Sequence, residues 1–130
     1  MVHTASPVSF APDADVIAPA VDGTLSVLRA ADEHGIKRVV LTSTVAAASQ
    51  YVEGGETLNF DEECWGSTEE MEADKDLQPY YLGKTLAEKK AWEFREGKEF
   101  ELVTILPGVV LGRSLTDYSN LSAQIFKSVA

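Results

Sequence analysis

The sequence runs to 130 residues, enough for one modest core and a single domain at most. Its 45% hydrophobic and 25% charged residues are the mix of an ordinary globular domain. With 21 acidic against 11 basic residues and a formal charge of -10, it lacks the Lys/Arg excess that nucleic acid and anionic membranes reward, so neither is expected as a partner. No run approaches the roughly 20 apolar residues of a membrane span, and Met1-Val2-His3-Thr4 has no basic and apolar secretory leader. Cys64 is the only cysteine, which excludes an internal disulfide and suits a reducing, cytoplasmic setting. No metal-ligand set is expected.

Residues 1 to 4 form a short β-compatible run that stops at Ser6-Pro7. Phe10 to Asp15, with Pro12, Asp13 and Asp15, predicts a loop ending in helix-capping residues. From Val16 to His34, Ile17, Ala20, Val21, Leu25, Leu28 and Ala31 recur at helical spacing. Pro19 is tolerable there because it falls in the first turn, and Gly35 stops the helix. Ile36 to Ser43 is a continuous apolar and β-branched run, the pattern of a strand buried on both faces. A helix, a one-glycine turn and such a strand make half of a βαβ unit, whose crossover is right-handed.

Thr44 to Gln50 is small and polar. Residues 51 to 78, broken by Gly54-Gly55, Asn59 and Gly66, predict a long irregular segment, acidic from Glu53 to Asp76 and solvated. Loops of that length in compact domains are functional or partly helical. Pro79 opens a second helix over Tyr80 to Arg95, with Ala87, Ala91 and Phe94 continuing the Lys84 face and Gly97 ending it. Phe100 to Leu106 is another buried-type strand, stopped by Pro107-Gly108 and followed by the apolar Val109-Val110-Leu111-Gly112. Asp117 or Ser119 is placed to cap a last helix, Leu121 to Val129. This order predicts an α/β fold with a parallel sheet and flanking helices in one domain.

The chemistry gathers in the second helix. Tyr80 and Lys84 are four apart and share a face. A tyrosine hydroxyl has a pKa of about 10, and an ammonium one turn away favours its phenolate, which would make it a usable general acid/base. In parallel sheets working residues collect at the carboxyl ends of the strands. Ser6 follows the first strand there, Ser43 and Thr44 close the second, and Pro107-Gly108 closes the third. A hydroxyl ending the second strand could polarise a substrate carbonyl while Tyr80 supplies a proton.

Together these segments resemble the extended short-chain dehydrogenase/reductases, within them the dihydroflavonol-reductase, cinnamoyl-CoA-reductase and aldehyde-reductase group. The matching text is Val2-His3-Thr4-Ala5-Ser6-Pro7, Ile17 to Thr24, Arg38 to Thr44, Asp61-Glu62-Glu63-Cys64-Trp65, Tyr80-Tyr81-Leu82-Gly83-Lys84-Thr85-Leu86-Ala87-Glu88 and Leu106 to Gly112. The resemblance implies a partial Rossmann-like domain over residues 1 to 130, its C-terminal end entering the substrate-binding portion. It implies an oxidoreductase that reduces a small ketone or aldehyde with NADP, NAD being the other possibility. It makes Tyr80, Lys84 and Thr44 catalytic, with Ser43 the alternative hydroxyl and Tyr81 a packing residue. It assigns cofactor contact to Ala5, Ser6, Pro7, Tyr80, Lys84, Pro107, Val109 and Val110.

Two departures stand beside it. Ser26 occupies the place of the group's helix asparagine, which puts a proton relay through that residue in doubt. The nine glycines form no G-x-G-x-x-G turn to seat a pyrophosphate on a helix N-terminus. The chain is therefore expected to correspond to the middle of such an enzyme, to bind dinucleotide weakly or not at all by itself, and to associate through an apolar sheet edge. A non-catalytic Rossmann-like binding module and an epimerase or dehydratase of the same superfamily are the alternatives.

Overall fold

The computed structural model of the chain describes residues 1–8, 15–48, 60–73 and 78–112. Its elements are β1 (Val2–His3), α1 (Ile17–Glu33), β2 (Arg38–Thr42), a 3-10 turn (Val45–Ala47), α2 (Thr68–Ala73), α3 (Gln78–Arg95) and β3 (Glu101–Ile105). The last helix expected over Leu121 to Val129 lies outside the described residues. No helix among the described residues is long and apolar enough to cross a membrane.

The three strands form one parallel sheet in the order β1-β2-β3. Val2 sits opposite Val40, and Val40 opposite Val103, while Thr42 faces Ile105. The connections β1-α1-β2 and β2-α3-β3 step across the sheet in the same direction. Crossovers of one hand then lay both helices on the same face, and α1 and α3 indeed pack together there.

Each helix stops for a local reason. Gly35 has φ +63 and Gly97 φ +71, backbone conformations that an L side chain resists. At the end of α1 the Ile36 N–H donates to the Ala31 carbonyl at 2.9 Å and the Gly35 N–H to that of Asp32 at 3.1 Å, a Schellman closure. Ile36 then packs against the core. The start of α1 departs from expectation: its N-cap is Val16, with no side-chain cap, rather than a residue of the Asp-rich loop. Pro19 still falls in the first turn, where its missing N–H costs nothing.

Leu28 and Ala31 from α1, Val39 and Leu41 from β2, Ala91 from α3, Phe100, and Leu102 from β3 form the buried cluster. The opposite face corrects the expectation of strands buried on both sides. Val40 is only half-buried, and Val103 and Ile105 are 39% and 51% exposed. The reason is that both long helices of the described residues lie on one side of the sheet. Residues 60–73 add a short helix, α2, to the segment expected to be irregular. It docks on α3, where the Thr85 hydroxyl donates to the Met71 sulfur at 3.6 Å.

Candidate active site

The site is built where α3 crosses the carboxyl ends of the strands. Pro79 and Tyr80 lie in the first turn of α3, and Lys84 follows one turn later. Between them, Gly83 brings α3 against the start of α1. A Cβ added there would stand 3.2 Å from the Ile17 Cα and 3.3 Å from the Val16 carbonyl oxygen, so any larger residue needs the helices to part by a few tenths of an ångström. That contact sets the height of the Tyr80–Lys84 turn over the sheet.

Lys84 is 6% exposed, and its ammonium donates to the backbone carbonyl of Thr42 at 2.6 Å. The lysine thus ties the catalytic-type helix to the last residue of β2. Thr44 comes two residues later, nearly buried, as the N-cap of the 3-10 turn. Its hydroxyl oxygen accepts from the Ala46 N–H at 3.4 Å. That bond uses one lone pair and leaves the O–H to donate elsewhere. Ser43, the alternative hydroxyl, is buried with its Oγ unpartnered among the described residues.

Burial acts on both members of the pair. It pushes the Tyr80 phenol above its ordinary value, and neighbouring Tyr81 pushes the same way. Burial also pulls the Lys84 ammonium below its ordinary value, while Glu88 opposes that shift. Tyr81 is half-buried and packs edge-on against Tyr80, with ring centroids 5.5 Å apart.

The other expected cofactor positions lie at the same end of the sheet. Ala5, Ser6 and Pro7 follow β1, and Pro107, Val109 and Val110 follow β3. The Pro107 carbonyl accepts from the Val45 N–H at 3.2 Å, joining the ends of β2 and β3. Val109 and Val110 are largely exposed. Ser26 is exposed on α1, where its hydroxyl donates to the Asp22 carbonyl at 2.7 Å.

Three residues escaped the sequence reading. His3 is buried beside the site, its imidazole pulled below the ordinary value by burial and then by the Lys84 charge. Only strand pairing, which sets it opposite Leu41, reveals that it faces the helices. Glu88 continues the four-residue spacing of Tyr80 and Lys84, a signal that was available. Gly83 could be found only from the helix contact. Beyond Glu88 a cavity of about 890 Å³ opens between α3, β3 and the segment from residue 60, lined by Phe60, Trp65, Glu88, Trp92, Leu102 and Leu106 among others. Lys89 reaches over the Trp65 ring, 5.4 Å from its centroid.

Parallel strands with a buried lysine, a tyrosine and a capping threonine at their carboxyl ends define a Rossmann-like domain of the short-chain reductase type. Solved structures agree. The chain superposes on yeast methylglyoxal/isovaleraldehyde reductase Gre2 complexed with NADPH with a TM-score of 0.83 and 33% identity, over 98% of this chain and 42% of that one. On vestitone reductase from alfalfa the TM-score is 0.73 with 29% identity, over 93% and 37%. In sequence it is 40% identical over 119 residues to an anthocyanidin reductase of Vitis vinifera and 37% identical over 120 residues to cinnamoyl-CoA reductase 2 of Medicago truncatula. These alignments cover 88% and 92% of the chain, which spans about a third (35%) of each curated relative's length. An NAD-binding family model described as "Male sterility protein" matches residues 1–130, and the chain belongs to that family.

Proposed function

We propose that this chain carries the catalytic helix of an NADP-dependent carbonyl reductase acting on a small ketone or aldehyde, in a reducing, cytoplasmic setting. The observation that carries the reading is the Lys84 ammonium fastened to the end of β2, with Tyr80 one turn before it and Thr44 two residues past the fastening point. The described residues fit half of a nicotinamide dinucleotide. The hydroxyls and ammonium suit a ribose and carboxamide, and the exposed Val109 and Val110 suit an apolar ring face. They do not fit the pyrophosphate, because no glycine-rich turn is present in these residues.

A nicotinamide dinucleotide would supply the hydride. The Thr44 hydroxyl donates a hydrogen bond to the substrate carbonyl oxygen and stabilises the charge that develops there. Tyr80, a phenol that is protonated at neutral pH, gives its proton to the alkoxide. Lys84 binds ribose hydroxyls and supplies positive potential as Tyr80 becomes a phenolate.

The test is a chimera in which these residues replace the corresponding third of the grape anthocyanidin reductase. It is expected to oxidise NADPH in the presence of ketones or aldehydes, and Tyr80→Phe to reduce the rate by roughly 100-fold or more. A folded chimera indifferent to Tyr80→Phe would refute the reading. The 130 residues alone are expected to bind NADPH weakly or not at all, and micromolar affinity by fluorescence titration would overturn that part. Self-association through the exposed sheet edge, supported by β1 lying at an edge with Val2 68% exposed, is tested by sedimentation, and a monomer at tens of micromolar would overturn it.

A further inference from the structure

We propose that Glu88 is a positioning residue for Lys84: it is the buried counter-charge that keeps the lysine an ammonium, and so keeps it fastened to the Thr42 carbonyl. The inference rests on the reductase reading only for its purpose, since the electrostatic claim concerns the chain itself.

An ammonium taken out of water sheds its proton unless a negative charge compensates it. Lys84 is 6% exposed, and the acceptor it reaches, a backbone carbonyl, is neutral. Each element packed around it can be searched for the missing charge. β1 contributes His3, which would repel an ammonium if protonated. The end of β2 offers Ser43 and Thr44, both neutral hydroxyls. The buried residues of α1 are Ala20, Thr24, Leu28 and Ala31, and α2 buries Met71, so neither element brings a charge. On α3 itself Tyr80 and Tyr81 are phenols. Among the described residues Glu88 is left, one turn past Lys84 on the same stripe.

The carboxylate has the reciprocal problem. Glu88 is 4% exposed, and its Oε2 has no hydrogen-bond partner among the described residues. It lines the apolar cavity between α3 and β3, whose acidic wall residues Asp61 and Glu62 are exposed and bring no cation. The neighbouring lysines are engaged elsewhere: Lys89 lies over Trp65 and Lys90 bonds Glu93. Glu88 and Lys84 form no direct ion pair within 4.0 Å among the described residues. They act through the low-dielectric interior, where a charge one helical turn away still counts. Consistently, Glu88 raises the Lys84 ammonium against the pull of burial.

The experiment follows Lys84 directly. In chain labelled with ¹³C at lysine Cε, the Lys84 methylene signal is titrated with pH in the parent, Glu88→Gln and Glu88→Asp. Glutamine keeps the volume and removes the charge, so a merely structural role predicts no change. Glu88→Gln is expected to lower the Lys84 midpoint by about 1 pH unit, and Glu88→Asp to recover most of it. An unchanged midpoint in a folded Glu88→Gln chain overturns the proposal. Should that variant not fold, Glu88→Met takes its place, since it fills the site with an uncharged chain of similar length, and an unchanged Lys84 midpoint there overturns the proposal equally. Neither readout depends on turnover, so failure here is separate from failure of the chimera.

Discussion

The two faces of the sheet are made from the same strands and have opposite fates. On one face Val39, Leu41 and Leu102 meet Leu28 and Ala31 of α1 and Ala91 of α3, with Phe100 sealed behind them at 2% exposure. On the other, the row Val2-Val40-Val103 and the pair Thr42-Ile105 run across the strands with little above them. Val2 is 68% exposed. The Arg38–Glu101 ion pair borders this row and is itself largely exposed, so its contribution to stability is small. The covered face also carries the chemistry: His3, Ser43, Lys84 and Glu88 are buried on the side of the helices. A parallel sheet normally buries both faces, and here one layer of helices supplies both the core and the site.

The largest expected effect sharpens that contrast. Phe100→Ala on the covered face should destabilise the chain by about 3–5 kcal/mol, read as a lower urea midpoint, through lost burial and a cavity beside Phe94 and Leu102. A loss below about 1 kcal/mol would mean that this face is not a packed core. Next comes Gly83→Ala, whose Cβ needs the backbone at Val16–Ile17 to give by a few tenths of an ångström; that overpacking should outweigh the helix-propensity gain and leave a net cost of about 1 kcal/mol. Because the displaced turn holds Tyr80 and Lys84, the chimera carrying this change should also turn over more slowly.

A third test tries to break the comparison. Val103→Thr keeps the β-branch on the bare face and should stay within about 0.5 kcal/mol of the parent. A cost above about 1 kcal/mol that grows with protein concentration would mean that a second copy covers this face.

The smallest effect concerns His3. Its folded imidazole titrates below the ordinary value, so as pH falls past the unfolded value the unfolded chain takes up a proton that the folded chain refuses. Stability therefore falls as pH drops from 6.5 toward the folded value. Comparing urea midpoints across that range, His3→Gln should show a shallower decline. An identical decline in both proteins would show that the imidazole is not excluded from water.

Much of this architecture was legible beforehand because its causes are local. Helical spacing from Ile17 to Ala31, glycines at 35 and 97 and the β-branched runs near 39 and 103 each follow from a few neighbouring residues. The Tyr80–Lys84 spacing and the strand-end threonine are of the same kind, and so is the match to short-chain reductases. The two-sided burial expected of the strands was not met, because a run of apolar residues does not say how many helix layers will cover it. The capping residue of α1 was also misplaced, since its start leans on Gly83 of α3 rather than on a local side chain.

By itself, then, the sequence determined which segments become helices and strands, that the strands run parallel, and which tyrosine stands one turn before a lysine. Those outcomes depend on backbone preference and on periodicity, which act over a few residues. The tertiary structure decided what the lysine does. It placed the Lys84 ammonium on the Thr42 carbonyl, 42 positions away in sequence, and put His3 beside it from a third element. It left Glu88 buried on the same stripe. Burial pushes the Tyr80 phenol up, because desolvation depends on what surrounds a group in space, and spacing along a helix carries no record of that.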